Sequence, residues 1–366
     1  MIQTGKSGAL RRAFSLLLAL ITALSLCFSA FAEAAPAKSR GTTLLFFSDF
    51  QHKDGWKDPN ETLAGLLDAL ESSGVRPDNA LICGDYSAIH GRNNHNGDPR
   101  PGIMQIKEEF TNQYGEDWDN DSMIFVQGNH DRKTGDISAP GLHAYDDYLV
   151  YVMNAETEYP SAQVSRKRKA IVQSGAKRLK KCLEKLVKAK ETRPVFLASH
   201  VPLHFTARTS RKGDNLYASY LFEVLNSYGT KLNLVYLFGH NHDNGWDSYM
   251  GGSCIFRKPG DFLLIPKEKR KKKAPWYAKK TITFVYMNAG YCGYFAQASG
   301  ESRLNCSTCT IKDGKLLFQR YSESGKCPLN GAGRANKTKN DKKLIPAKYY
   351  GKRKTGSFAV TRRKAA

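Results

Sequence analysis

Five short apolar, β-prone runs in this 366-residue chain each stop at a polar side chain: TTLLFFSD at Asp49, NALICGD at Asp85, SMIFVQGNHD near Asn129 and His130, PVFLASH at His200, and LNLVYLFGH at His240. Runs this short and this continuously apolar read as strands buried on both faces. Helix-like segments lie between them, Glu61 to Ser73, Met104 to Tyr114, Ile171 to Lys188 and Asn215 to Tyr228. Strand alternating with helix predicts an α/β fold with a largely parallel, doubly covered sheet. Beyond Asn244 the pattern changes to short strand-like runs without long helices, which predicts hairpins or a second, mixed sheet completing the same core. Ser87 to Ile103, Arg132 to Ala170, Thr206 to Asp214 and the basic stretch Pro266 to Lys280 read as loops.

In open α/β sheets ligands sit beyond the carboxyl ends of the strands, so these five polar ends are expected to converge on one rim. One of them alone would mean little, since a buried histidine is usually a core residue and Asp or Asn after a strand often caps a turn. Five in one chain exceed that explanation. Carboxylate, amide oxygen and imidazole together suit Mn, Fe, Zn or Co, and the absence of cysteine from the set argues against a structural zinc or iron-sulfur site. The ligands outnumber what one ion needs, which points to a two-metal centre with a bridging carboxylate and ions about 3.5 to 4 Å apart. Asp85 is the natural bridge.

Charge is unevenly spread over a net +22. Ser165 to Lys190 has eleven basic residues against Glu184, Pro266 to Lys280 has eight against Glu268, and Ala335 to Ala366 has eleven against Asp341. The rest of the chain past residue 32 is net acidic, so the basicity belongs to appendages. A run of charge is usually a solvated face; attachment to an anionic surface or polymer is the functional reading. Lys6, Arg11 and Arg12 precede an uncharged stretch, Ala13 to Ala32, that closes on Ala30-Phe31-Ala32. This is the layout of a signal peptide over residues 1–32 and predicts a secreted or extracytoplasmic protein, with an uncleaved membrane anchor as the alternative. Cys306-x-x-Cys309 has no second pair, so a local disulfide or two free thiols is expected there.

Asp49-Phe50-Gln51, Gly84-Asp85, Gly128-Asn129-His130-Asp131, Ser199-His200 and Gly239-His240-Asn241-His242 together resemble the ordered signature of the calcineurin-like metallophosphoesterase superfamily. The resemblance runs from about Thr42 to about Tyr321 and implies an α/β/β/α sandwich, two mixed sheets flanked by helices. Residues 41–325 would then be the catalytic domain and 330–366 a basic, flexible tail. It further implies that Asp49, Gln51, Asp85 and His242 hold one divalent ion and that Asp85, Asn129, His200 and His240 hold the other. His130 would stand near the scissile phosphate, with Asp131 holding its ring or tautomer. Gln51 stands where most of the family has histidine. Positions i and i+2 of a strand end share a side, which favours Gln51 over His52 as the ligand. A similar variant occurs in family branches that include manganese-dependent ADP-ribose and CDP-alcohol diphosphatases, and this favours Mn.

The expected function is therefore hydrolysis of a phosphate mono- or diester, or a phosphoanhydride, by hydroxide generated between two divalent ions, on a phosphorylated small molecule or polymer. His130 has the titration range of a proton donor at the leaving oxygen. Arg92, Arg132 and Arg208 are candidates for holding further phosphates, and His204 for touching substrate. The reading from another class is a catalytically weak binding protein that attaches to anionic surfaces through its basic loops and tail. No specific protein partner is evident.

Overall fold

The computed structural model describes residues 41–52, 60–88, 97–116, 118, 120–160, 166–205, 215–240, 256–269, 275–293, 304–327 and 358–361. The expected signal segment, His90, His95, Arg92, Arg208 and His242 lie outside them. In chain order the strands are β1 (Thr42–Phe47), β2 (Asn79–Ile82), β3 (Met123–Phe125), β4 (Gly141–Ala144), β5 (Leu149–Met153), β6 (Val195–Ser199), β7 (Leu234–Phe238), β8 (Phe256–Arg257) and β9 (Phe262–Pro266). They continue with β10 (Tyr277–Thr281), β11 (Val285–Asn288), β12 (Gly290–Tyr291), β13 (Asn305–Lys312), β14 (Lys315–Ser322), β15 (Gly325–Cys327) and β16 (Phe358–Thr361). The helices are α1 (Asn60–Ser72), α2 (Arg100–Tyr114), α3 (Arg166–Lys188) and α4 (Ala218–Tyr228).

Two mixed sheets form the centre. The first runs β15-β14-β13-β1-β2-β3, with β12 on β13 and β16 on β14; the second runs β4-β5-β6-β7-β11-β8. Parallel pairing joins β1, β2 and β3 in one sheet and β5, β6, β7 and β11 in the other. Alternation along β1 explains why its run is apolar throughout. Leu44 and Phe46 pack between the sheets against Phe196, Val235 and Met287, while Leu45 and Phe47 pack outward beneath α1 and α2. On the far side, Leu197, Leu234 and Tyr236 meet Val172, Leu179 and Leu183 of α3 and Leu221 and Leu225 of α4. The α/β/β/α sandwich of the sequence reading is the observed architecture.

Of the late strands, β9 and β10 pair only with each other and the rest join the two central sheets. β8 and β11 join the second sheet, and β12 to β15 extend the first. Arg132 to Ala170, read as a loop, contains β4, β5 and the first residues of α3. The run of β5, LVYVM, is buried at all five positions and is followed by Asn154, whose Oδ1 accepts from the Gln127 N–H at 2.8 Å. Pro266 to Lys280 likewise closes an antiparallel β9–β10 hairpin. Within the stretch read as a tail, Phe358–Thr361 pairs antiparallel with β14 from Lys315 to Phe318. Cys306 and Cys309 are both free thiols. An odd spacing on a strand puts them on opposite faces, Cys306 in the outer core and Cys309 between the sheets, so neither a disulfide nor a shared metal suits them.

The apolar stripe of α3 is core. Leu183→Ala should cost about 2 to 5 kcal/mol in urea denaturation, the range for a leucine truncated in a packed interior. Lys181→Ala, on the exposed face, should leave the midpoint unmoved; equal losses would place the stripe outside the core.

Candidate metal centre

The segments following β1 and β2 stay side by side past the strand ends. Asp49 N–H donates to the Gly84 carbonyl at 2.8 Å, Gln51 N–H to the Asp85 carbonyl at 2.9 Å, and His52 N–H to the Tyr86 carbonyl at 2.7 Å. Gly239 N–H donates to the His200 carbonyl at 3.0 Å, doing the same for β6 and β7. The sheets are then tied at this edge, because His240 N–H donates to Asp49 Oδ2 at 2.9 Å. The Ser48 hydroxyl sits 2.6 Å from Asp49 Oδ2 and from the Gly290 carbonyl.

Backbone strain concentrates here. Six non-glycine residues among those described have positive φ, and four are Asp49 (57°), Gln51 (55°), Asp85 (59°) and His240 (71°). The others, Lys190 and Asp313, stand just past α3 and in the turn between β13 and β14. Left-handed backbone is costly for residues with a Cβ and persists where surroundings impose it, most often at functional sites. Glycines permit the close approach. A Cβ on Gly128 would lie 2.1 Å from Asp85 Oδ1, and one on Gly84 (φ 87°) would lie 2.8 Å from His200 Nδ1.

Four donor atoms meet in this pocket of backbone. His200 Nδ1 lies 2.7 Å from the Cys83 carbonyl, which can only accept, so the ring proton belongs on Nδ1 and Nε2 is turned inward. Around Nε2 stand Asn129 Oδ1 at 3.0 Å, Asp85 Oδ2 at 3.2 Å and His240 Nδ1 at 3.2 Å. Ligands about 2.0 to 2.2 Å from a common ion at tetrahedral or octahedral angles are separated by about 2.9 to 3.5 Å. The three distances from His200 Nε2 fall in that range, so this donor set suits a divalent ion. Asp85, His200 and His240 are all buried, and their ligand atoms lie within 4.8 Å of one another.

Electrostatics agree with the geometry. Burial opposes the Asp85 charge, yet the His200 and His130 rings and the His130 N–H hold its carboxyl well below the usual carboxylate range. Burial likewise disfavours a charged His200, but the Asp85 carboxylate outweighs it and pushes His200 up to about 9. The pocket is one that holds positive charge.

A family model described as calcineurin-like phosphoesterase matches residues 42–244, more than half of the chain. The chain belongs to that family. No curated protein matches it. Similar solved structures include a purple acid phosphatase from yellow lupin (Lupinus luteus) seeds, with 11% identity over 87% of this chain and 53% of that one, TM-score 0.44. The chain thus spans about half the length of the lupin enzyme. Others are a conserved uncharacterized protein, a predicted phosphoesterase, from Streptococcus pneumoniae (9% identity, 88% and 98% covered, TM-score 0.30) and a Vps29 single mutant from Entamoeba histolytica (13% identity, 77% and 92% covered, TM-score 0.30). Family membership supports a metal-dependent phosphoester hydrolase.

In this calcineurin-like phosphoesterase, all four members of the second implied ligand set, Asp85, Asn129, His200 and His240, are brought together. Of the first set, Asp49, Gln51 and Asp85 are buried at the same edge, and His242 lies outside the described residues. His52 is half-buried and runs alongside Ser87 and Ala88. His130 donates its N–H to Asp85 Oδ1 at 2.9 Å, and its ring Nε2 stands 3.8 Å from Asp85 Oδ2.

Asp131 is placed differently from what the resemblance implies. Its Oδ2 accepts from the N–H groups of Asp85 (2.8 Å) and Gly128 (2.9 Å), and its Oδ1 from Tyr86 (2.9 Å) and Ser87 (3.2 Å). These four donors take up the lone pairs of the carboxylate, so it fastens the two ligand loops together and does not hold the His130 ring. Burial, reinforced by the Asp85 charge, pushes its carboxyl upward against those bonds. His204, considered for substrate contact, is fully buried with Nδ1 2.7 Å from the Tyr286 hydroxyl, a core position. Arg132 is paired with Asp98, which also binds Arg100. Two positioning groups had no sequence signal: the Ser48 hydroxyl, and the Cys83 carbonyl, which as backbone carries none.

Two outcomes follow from the packing and the charges. Gly128→Ala should lower Mn affinity by roughly 10- to 100-fold, as loss of a ligand-orienting contact does, with near-UV circular dichroism preserved; wild-type affinity would mean that the loop shifts at no cost. Below about pH 9 the metal-free His200 carries a proton, whereas a ligand ring must be neutral. Metal uptake should thus release a proton, and log affinity should rise by about one per pH unit between about pH 6.5 and 8.5. Calorimetry in two buffers of different ionisation enthalpy reads this directly, and zero release would contradict it.

Proposed function

We propose that this chain is an exported, dinuclear metal-dependent phosphoesterase acting on a phosphate ester or anhydride of a small molecule or polymer. The observation that carries it is the convergence of Asp85 Oδ2, Asn129 Oδ1 and His240 Nδ1 on His200 Nε2. Bound divalent ions would lower the pKa of a coordinated water and neutralise phosphate oxygens. Asp85, Asn129, His200 and His240 would hold one ion, and Asp49, Gln51, Asp85 and His242 the other, with Mn favoured over Fe, Zn or Co. The export reading rests on the layout of residues 1–32.

The chain's own residues have separable tasks. Asp85, held ionised in a buried site, would be shared by both ions. The Cys83 carbonyl fixes the tautomer that makes His200 a ligand. Ser48 and the His240 N–H meet at Asp49 Oδ2 and so fix the orientation in which this carboxylate would bind a metal. His130 is anchored through its main chain to Asp85 while its ring is part-exposed at the edge, which suits a group that gives a proton to the leaving oxygen.

Hydrolysis of a chromogenic phosphodiester and a monoester with added Mn, Fe, Zn or Co tests the reading. Asp85→Ala should abolish turnover. His130→Ala should lower kcat by about 10²- to 10⁴-fold, the usual contribution of a general acid, with metal affinity retained. Inactivity with every metal, or an unchanged Asp85→Ala rate, sinks the proposal.

A further inference from the structure

Two basic runs far apart in the sequence meet in the fold. Lys169 of α3 donates to the Glu268 carboxylate, just past β9, and the Tyr220 hydroxyl of α4 donates to its other oxygen. α3, α4 and the β9–β10 hairpin share one apolar cluster that includes Leu179, Leu183, Leu221, Leu264 and Tyr277, and together they form the outer layer on the second sheet. With its leucines turned inward, α3 exposes Lys177, Lys181, Lys185 and Lys188, and the hairpin exposes Lys269, Lys279 and Lys280. The acids of this layer offset little of that charge, since Glu184 and Glu268 are matched to Lys180 and Lys169 and only Glu223 pairs with one of these lysines, Lys280.

The composition of the layer selects its partner. Arg178 and Arg193 are engaged by Glu158 and Glu191, so the outward charge is mostly lysine. Lysine is a hydrated point charge suited to a diffuse anionic plane, whereas arginine's fork suits individual phosphates. Among the described residues the exposed large apolar side chains are Met104, Leu142 and Leu317, none of them on this layer. Among the described residues the layer thus presents charge and no exposed large apolar side chain, which favours electrostatic attraction. α3, 23 residues long, runs about 35 Å. Because it joins parallel strands β5 and β6, its first turn stands at the strand-end edge that carries His200.

We propose that this lysine layer docks the protein on an anionic lipid bilayer, independently of whether the metal edge is catalytic. The test is co-sedimentation of the full chain with neutral phosphatidylcholine vesicles and with vesicles that also contain phosphatidylglycerol, at low and high salt. Duplex DNA and polyphosphate serve as competitors. Binding should require the anionic lipid, weaken with salt, and fall about fivefold for each lysine neutralised in a variant with Lys177, Lys181, Lys185 and Lys188 changed to Ser. A hairpin variant, Lys269→Ser with Lys279→Ser and Lys280→Ser, should weaken it too and serves if the first misfolds; both should keep the wild-type urea midpoint. A control with Lys352→Ser, Arg353→Ser and Lys354→Ser should bind nearly as the wild type. The proposal is overturned if only that control loses binding, if both layer variants bind unchanged, or if DNA or polyphosphate displaces the protein from vesicles at equal charge.

Discussion

A buried carboxylate that stays ionised is the constraint from which the site follows. Asp85 has almost no contact with water, and burial alone would protonate it. Positive charge beside it is therefore compulsory, and in the metal-free chain the His200 imidazolium provides it. An ion of higher charge answers the same demand better and frees the His200 imidazole to act as a neutral ligand. The acidity of the pocket and its affinity for cations are thus one property.

Holding those groups so closely requires departures from regular backbone. Asp49, Gln51, Asp85 and His240 all turn left-handed immediately beyond strands that are otherwise regular, and the missing Cβ atoms of Gly84 and Gly128 let the loops interlock. Asp131 offsets part of this cost by gathering four main-chain N–H groups onto one side chain. Strain and its restraint come from neighbouring residues of the same motifs, so a carboxylate adjacent to a ligand here is structural cement.

Much of this was legible in the sequence, for a physical reason. Strands buried on both faces must be apolar throughout, so the polar side chain that ends each one stands out; Asp49, Asp85, Asn129, His200 and His240 were found that way. β5 obeys the same packing rule and is likewise followed by an amide, Asn154, but that amide serves the Gln127 main chain, and the run carries no motif that sets it apart from a loop. The resemblance implies that Asp131 holds the His130 ring, as a carboxylate next to a histidine commonly does, and the sequence holds no record of which main-chain donors surround it. The Cys83 carbonyl, which decides the His200 tautomer, has no side-chain signature at all.

The four converging donor groups are drawn from both sheets: Asp85 and Asn129 follow β2 and β3, His200 and His240 follow β6 and β7. A centre assembled across that gap works as a gauge of it. The donors keep separations of 3.0 to 3.2 Å from His200 Nε2 only while the sheets hold one spacing, set by side chains such as Phe46 and Phe196 far from the metal edge. Repacking that interior would reach the ion as a change in its coordination, so the core between the sheets belongs to the chemistry as much as to the stability of the fold.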